Sequence, residues 1–324
     1  MFRPKAVCFF AFLNVMPELP EVETIRRQLE RAIVGRKIVG LEIRYQKPLK
    51  TPVAEFRRAV LGAKITSIGR RAKLLLWNLS SGCTIMFHLK MTGRILIVKD
   101  SAPPTKHTHL VFDISGKEKI FFEDYRKFGF IKLFKTAELP KFFETQGYGP
   151  EPLDPKFTFK KFTMRLRAKP KSSTFSRNIK PEEVFVKPFI VHGPANADRS
   201  IPEGAGRKIK PLLMEQTCIA GIGNIYAAEA CFYARIMPTR TVKSLSDEDL
   251  RRLFGAIKKV LKSSIKYRGT SADAYLDAYG KKGEFVPRLA VYGRAGEKCR
   301  RCGGTIKNMR LGGRGTDYCL SCQK

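Results

Sequence analysis

Four cysteines near the end of the chain constrain its fold more than any other feature. Cys299 and Cys302, then Cys319 and Cys322, form the pattern C-x2-C-x16-C-x2-C. Two intervening residues let both thiolates of a pair turn onto one ion, and two such knuckles close a tetrahedron. Four thiolate ligands leave no open coordination position, so one structural Zn2+ is expected rather than a catalytic one. Gly303-Gly304 and Gly312-Gly313 permit the knuckle and hairpin turns. Residues 299–324 therefore read as a zinc finger. The other cysteines, Cys8, Cys83, Cys218 and Cys231, are scattered. A secreted disulfide scaffold is shorter and denser in cysteine, so a reducing, cytoplasmic compartment fits better.

A zinc finger of this size does not account for 324 residues, which is enough chain for two ordinary domains. Lys and Arg number 62 against 29 Asp and Glu, a net charge of +33. That excess is beyond what solubility requires and points to a polyanionic partner, nucleic acid first. A membrane partner is not expected, because no apolar run approaches a bilayer span and no basic amphipathic helix stands out.

Along the chain, "ELPEVETIRRQLERAIVG" places Val22, Ile25, Leu29 and Ile33 at helical spacing, with Gly35 at the stop. Pro20 suits the first turn, and Glu18, Glu21 and Glu23 suit the positive end of the helix dipole. From about 37 to 135 the pattern changes to short strands: "KITSIG", "AKLLLWNL", "CTIMFHLKM", "RILIV", "HLVFDI" and "KIFFED". Turn signals separate them, and a β-sandwich is expected. Beyond about 150 the reading is helical. "SDEDLRRLFGAIKKVLKSSIKYRG" has a Ser246/Asp249 capping pair and one apolar face, and "IKPLLMEQTCIAGIGNIYAAEACFYARIMP" reads as two helices around a glycine-rich turn. Between 169 and 207, prolines at 170, 181, 188, 194 and 202 forbid a long helix; an inserted loop is expected there, in which "EVFVKPFIV" could form a strand.

Three further features bear on chemistry. Arg314 sits at the expected hairpin tip, as a phosphate contact or as an ordinary solvated arginine. "AGIGN" opens a helix, where backbone N–H groups hold a phosphate well and Asn224 adds a donor, although glycines between helices are more often just a tight turn. The third is "MPELPE". Inside a chain, the Pro17 nitrogen is a tertiary amide; with Met16 removed it is a free secondary amine. An α-amino group has a pKa of roughly 7.7–8.0, leaving a neutral fraction near pH 7. Such an amine attacks an aldehyde-level carbon to form an iminium, with Glu18 and Glu21 beside it for proton transfer and support. On the residues alone, "PELPE" reads first as the start of a helix.

The motifs "MPELPEVET", "RRAKLLL", "HLKMTGR", "DYRKFG", "GPEPL", "IKPLLMEQ", "AGIGNIYAAEA", "VYGRAGEKCRRCGG" and "GGRGTDYC" occur in that order. Together they resemble bacterial formamidopyrimidine-DNA glycosylase, in the family that also contains endonuclease VIII. The resemblance covers residues 16–324 apart from 169–207. It implies an α+β fold in two domains: a catalytic β-sandwich with an N-terminal helix at 16–135, a linker at 136–149, and a helix–two-turns–helix domain at 150–298 before the finger. It also implies residue roles. Pro17 is the nucleophile on C1′ of a damaged nucleotide, Glu18 the acid/base and Glu21 its support. Lys73 contacts phosphate and assists catalysis, while Lys210, Asn224 and Arg314 grip phosphates. Met91, Arg126 and Phe128 fill the gap left by a flipped base, consistent with the need to extrude a base before attacking it.

The implied reaction is excision of an oxidised purine, 8-oxoguanine or a formamidopyrimidine, from double-stranded DNA, followed by strand cleavage through β- and δ-elimination. The protein is expected to act as a monomer. "AYGKKGEFVPRLAVYGR" resembles the loop that covers a purine lesion. Tyr125 stands where the family often has proline, with little consequence expected. Residues 1–15 carry Arg3 and Lys5 before an apolar run, like a short signal peptide, but lack a small-residue cleavage pattern. They are expected to be absent from the mature protein, because a retained leader makes Pro17 an amide. A glycosylase for oxidised pyrimidines, or a non-catalytic DNA-binding protein if the leader is kept, are the competing readings.

Overall fold

The first helix forms where its prolines and acids predict. In the computed structural model, which describes residues 16–168, 206–272 and 274–324, α1 spans Leu19–Ile33. The leader and residues 169–205, with their candidate strand, lie outside the described residues. The Glu21 carboxylate accepts the Glu18 N–H at 2.8 Å, which satisfies a donor at the helix start. Gly35, at φ +89°, follows the last turn. Val22, Ile25, Leu29 and Ile33 are fully or almost fully buried, as their spacing requires.

β1 (Ile38–Ile43) and α2 (Val53–Val60) follow, then β2 (Ile65–Arg71), β3 (Leu74–Leu79), β4 (Cys83–His88), β5 (Gly93–Lys99), β6 (Thr108–Ile114), β7 (Glu118–Asp124) and β8 (Phe130–Lys135). They form two antiparallel four-stranded sheets, ordered β1-β6-β7-β5 and β2-β3-β4-β8. Trp77 on one sheet meets Phe112 on the other at 5.3 Å between ring centroids, so the two faces share one core, the expected sandwich. Six strands match the runs singled out above; β1, β8 and α2 are additional.

The expected linker is partly structured. α3 (Leu139–Thr145) lies within it, and Phe142, Phe143 and Tyr148 pack against Leu74, Leu76, Met86 and Phe130 on the outer sheet face. That cover explains why β3 reads "LLLWNL" with no polar alternation. Leu75, Trp77 and Leu79 point into the sandwich, while Leu74 and Leu76 point under the linker.

The second domain contains α4 (Phe159–Arg167), α5 (Ile209–Met214), α6 (Asn224–Tyr233) and α7 (Asp247–Lys266), with a hairpin of β9 (Ile306–Leu311) and β10 (Arg314–Cys319). Ser246 caps α7 as expected, its hydroxyl accepting the Asp249 N–H at 3.1 Å. α6 is buried from Ile225 to Phe232 because other elements surround it. Its Glu229 carboxylate accepts the N–H groups of Ala290, Val291 and Tyr292 at 2.8–2.9 Å, fastening the chain that enters the finger.

The two domains meet along α1. Leu19 N–H donates to Gly221 O at 3.0 Å, Ile97 N–H donates to Ala278 O at 2.7 Å, and Gln28 Nε2 donates to the buried Asp277 carboxylate at 3.0 Å. At Gly221, with φ +86°, a Cβ would lie 2.8 Å from the Leu19 side chain, so only glycine fits this contact.

Candidate active site and nucleic-acid interface

The centre of the site is the start of α6 facing the start of α1. The Glu18 carboxylate accepts N–H groups from Gly223 at 2.6 Å, Ile225 at 2.9 Å and Tyr226 at 3.5 Å. This corrects one expectation. The "AGIGN" helix start does bind an anion, but the anion is the protein's own carboxylate, and those N–H groups are not available to a phosphate. Burial pushes the Glu18 carboxyl above its ordinary value, against the opposing pull of Lys73 and the three backbone donors. Oε2 accepts two of these donors and Oε1 only one, so Oε1 retains a lone pair for proton exchange.

Glu21 lies behind it. Its carboxylate accepts from the Tyr226 hydroxyl at 2.5 Å and the Thr270 N–H at 2.8 Å. Burial, reinforced by the Glu18 charge, pushes Glu21 up to about 7. The Tyr226 oxygen also meets Ser264 Oγ at 2.5 Å and Thr270 Oγ1 at 2.9 Å, which closes a fully buried polar network. Pro17 is buried next to Glu18. Lys73 is buried beside both carboxylates; burial lowers its pKa, Glu18 and Glu21 raise it, and Arg314 adds to the lowering.

A second group converges from the finger. Lys210 Nζ donates to Asn224 Oδ1 at 2.5 Å and to Thr316 Oγ1 at 2.9 Å, and Asn224 Nδ2 donates to Gly315 O at 3.1 Å. Burial depresses Lys210 to about 8. Arg314 is exposed beside the Gly312-Gly313 turn, whose φ values are +56° and +73°. It is near enough to act on both Lys73 and Lys210. Lys210, Asn224 and Arg314, separated in sequence, therefore form one cationic cluster next to Glu18.

The four cysteine sulfurs lie within 4.8 Å of one another, with Cys302–Cys319 at 3.4 Å and Cys299–Cys322 at 3.9 Å. A tetrahedron with Zn–S bonds of about 2.3 Å puts its sulfurs about 3.8 Å apart. The donor set and its spacing fit one structural zinc.

Family models match all three parts of this architecture: the formamidopyrimidine-DNA glycosylase N-terminal domain at residues 16–131, the H2TH domain at 197–275, and the zinc finger found in FPG and IleRS at 296–324. The chain is 38% identical over 310 residues to the formamidopyrimidine-DNA glycosylase of Pelotomaculum thermopropionicum, covering 95% of this chain and 99% of that one. It is 36% identical over 309 residues to that of Streptococcus mutans, covering 95% and 100%. The chain belongs to the formamidopyrimidine-DNA glycosylase family. Its fold also matches solved structures of the Lactococcus lactis family member. One is a complex with Fapy-dG-containing DNA, with a TM-score of 0.79, 33% identity and coverage of 95% and 100%. Another is a complex with DNA containing an abasic site, with a TM-score of 0.79, 33% identity and coverage of 95% and 99%.

The residues that family resemblance assigns to void filling form a separate group, with Arg126 and Phe128 exposed and Met91 half-buried. Arg126 Nη1 reaches Met91 Sδ at 3.3 Å, and its guanidinium lies 5.1 Å from the Phe128 ring, which is 56% exposed. Asp124 sets the turn beneath them, accepting N–H groups from Gly129 at 2.6 Å and Arg126 at 3.2 Å. The Tyr125 ring lies tilted against His107, 4.1 Å between ring centroids, with the Arg94 guanidinium 4.8 Å away. In the expected lesion-covering loop, residues 277–281 turn around Asp277, whose carboxylate takes the Tyr279 and Lys281 N–H groups and the Arg268 guanidinium.

Sequence reasoning assigned no role to Tyr226, Thr270 or Thr316, and it read the Gly223 helix start as a phosphate site rather than as the seat of Glu18. Gly223 and Tyr226 carried a signal through their place in "AGIGNIYAAEA", and Thr316 through "GGRGTDYC"; Thr270 carried none.

Proposed function

We propose that this protein is a bifunctional DNA glycosylase and AP lyase that removes oxidised purines from double-stranded DNA, as a cytoplasmic monomer, with Pro17 as its N-terminal residue. The observation that carries the reading is the junction of the two domains at Glu18. A buried carboxyl of raised pKa sits next to a proline that can serve as a secondary amine, with a buried lysine beside it. The family model of the N-terminal domain begins its match at residue 16, immediately before that proline.

In the proposed reaction the Pro17 nitrogen attacks C1′ of an extruded nucleotide. The C1′–N bond to proline forms, and the bond to the base breaks with its electron pair leaving on the protonated base. Glu18 exchanges the proton needed to open the sugar ring, and the iminium then accepts electrons as the 3′ and 5′ phosphates are eliminated. Glu21 supports Glu18 through its N–H. Lys73, Lys210, Asn224 and Arg314 supply the positive charge and polar groups that hold phosphates; the three Lys210 N–H groups are internally engaged, with Asn224, Thr316 and Met214 Sδ, so its part is electrostatic. Met91, Arg126 and Phe128 occupy the vacated stack.

The test compares protein beginning at Pro17 with protein retaining residues 1–15. Borohydride should trap the first on DNA containing 8-oxoguanine, with the cross-link mapped to Pro17, and should leave the extended chain untrapped, because an amide nitrogen delocalises its lone pair. Equal trapping of a mass-verified extended chain would transfer the nucleophile role to another amine and end the Pro17 assignment. A lesion panel on which oxidised pyrimidines are preferred would replace the purine assignment.

A further inference from the structure

The exposed side of α7 carries cations that the cleft does not use. Lys259, Lys262 and Lys266 are exposed, whereas Ser264 is buried and reaches the Tyr226 hydroxyl behind Glu21. At 3.6 residues per turn these lysines lie about 140–200° around the helix from Ser264. They therefore face away from the catalytic centre. The ridge borders a cavity of about 510 Å³ between α6, α7 and the first zinc knuckle. Lys259, Arg288, Arg300 and Arg301 line it, and no acidic residue does.

These arginines are held in place by uncharged partners. Arg300 donates to Pro287 O at 2.6 Å, Arg301 donates to Phe232 O at 3.3 Å, and Arg288 lies 3.5 Å over the Tyr267 ring. The other exposed stretch of the same helix does pair with acids, as in Arg252–Glu248 and Arg167–Asp247. Among the described residues, none of the six cations of this face takes part in a salt bridge. Their charges are fixed, clustered and not internally neutralised, so the face is complementary to an anion.

The cavity alone would suit a small phosphate compound. The ridge argues for something longer. Lys259 to Lys266 covers about 10 Å of helix, and a duplex presents one negative charge per about 1.7 Å of its axis. We propose that this face binds a second segment of duplex DNA while the cleft holds the first. The inference rests on the cleft reading only for which face is already occupied. Phosphodiester charge is what the ridge recognises, so binding is independent of sequence and lesion.

The experiment uses the intact chain with its cleft filled by a short duplex carrying a non-cleavable abasic analogue. A labelled undamaged duplex is then titrated, with anisotropy reading affinity and sedimentation reading the mass of the complex. A ternary complex is expected at low salt. Lys259→Glu/Lys262→Glu/Lys266→Glu should weaken the second binding at least tenfold and remove roughly three phosphates' worth of salt slope, about 2.7 units. All three positions are exposed, so the variant should keep its melting temperature and its excision rate on a short damaged duplex. Failure of the loaded wild-type chain to take up the second duplex, or equal uptake by the triple variant, overturns the proposal. Tripolyphosphate uptake without duplex uptake overturns it in favour of a small-anion site. If the first duplex does not bind one-to-one, the cleft reading fails separately. The second face is then read from a single-duplex titration, in which full affinity in the triple variant sinks it.

Discussion

At the scale of single residues, the site is governed by what burial does to four titratable groups. Glu21 has its carboxyl pushed up to about 7 in the folded protein, against an ordinary value of 4.5. The folded state therefore holds a proton that the unfolded state releases. This contribution to stability is fully present below about 4.5 and is lost as pH rises through about 7, amounting to about 3 kcal/mol at one unit per 1.36 kcal/mol. Denaturant midpoints of wild type and Glu21→Gln at pH 5 and pH 8 should show the variant losing less stability between the two; parallel losses would mean Glu21 does not titrate there. Lys210 has the opposite sign. Its pKa is depressed to about 8 by burial, and the charge of a nearby phosphate would raise it again. DNA binding should therefore take up a proton between about pH 8 and 9 and weaken as pH climbs, and Lys210→Met should abolish the uptake in calorimetry run in buffers of different ionisation enthalpy. The identities of Pro17, Glu18 and Lys210 were legible in short motifs. The partner of Glu18 was not, because its hydrogen-bonded donor at Gly223 lies 205 residues away, and no local pattern encodes a contact of that range.

At the scale of elements, the start of α6 and the finger are the exacting parts. A Cβ at Gly223 would run into the Glu18 carboxyl carbon and lie 2.8 Å from Lys73 Nζ. Gly223→Ala should therefore lower activity at least a hundredfold while melting remains cooperative; near wild-type turnover would show that Glu18 does not need this seat. Cys302→Ser should lower zinc content and DNA affinity together, since ligand loss unfolds the finger and carries Arg314 and Thr316 out of place. Retention of full zinc and wild-type binding would refute the four-thiolate assignment. Phe128→Ala should impair excision from damaged duplex, where extrusion costs a few kcal/mol, more than cleavage of a preformed abasic site. α1, α7 and six strands were legible because periodicity and caps are local. α3 was hidden in the expected linker because its sequence, "LPKFFET", is short and its burial depends on the outer face of β3. The run "LLLWNL" was readable as a strand, and its lack of alternation signals two covered faces, but nothing within it named α3 as the cover.

At the scale of the whole molecule, charge and domain docking decide behaviour. A net charge of +33 makes binding strongly salt-dependent, each neutralised phosphate contributing about −0.9 to the slope of log K against log salt. Arg314→Ala should reduce that slope by roughly one unit; an unchanged slope and affinity would place Arg314 in solvent. Composition made the polyanionic partner legible, and four spaced cysteines made the finger legible. How the halves close on one another was not, because it depends on Gly221, Gly223 and Asp277, which are unremarkable in isolation. That closure bears on how the protein is made. Glu21 receives its backbone donor from Thr270, 249 residues further along the chain. A ribosome adding about 5–20 residues per second needs roughly 12–50 seconds to supply that donor. Glu18 waits 205 residues for Gly223 and Glu21 waits 249 for Thr270, so for most of that interval the nascent sandwich carries both carboxylates without the partners that seat them. The order of synthesis thus leaves the Glu18–Glu21 centre incomplete until the second domain has been made.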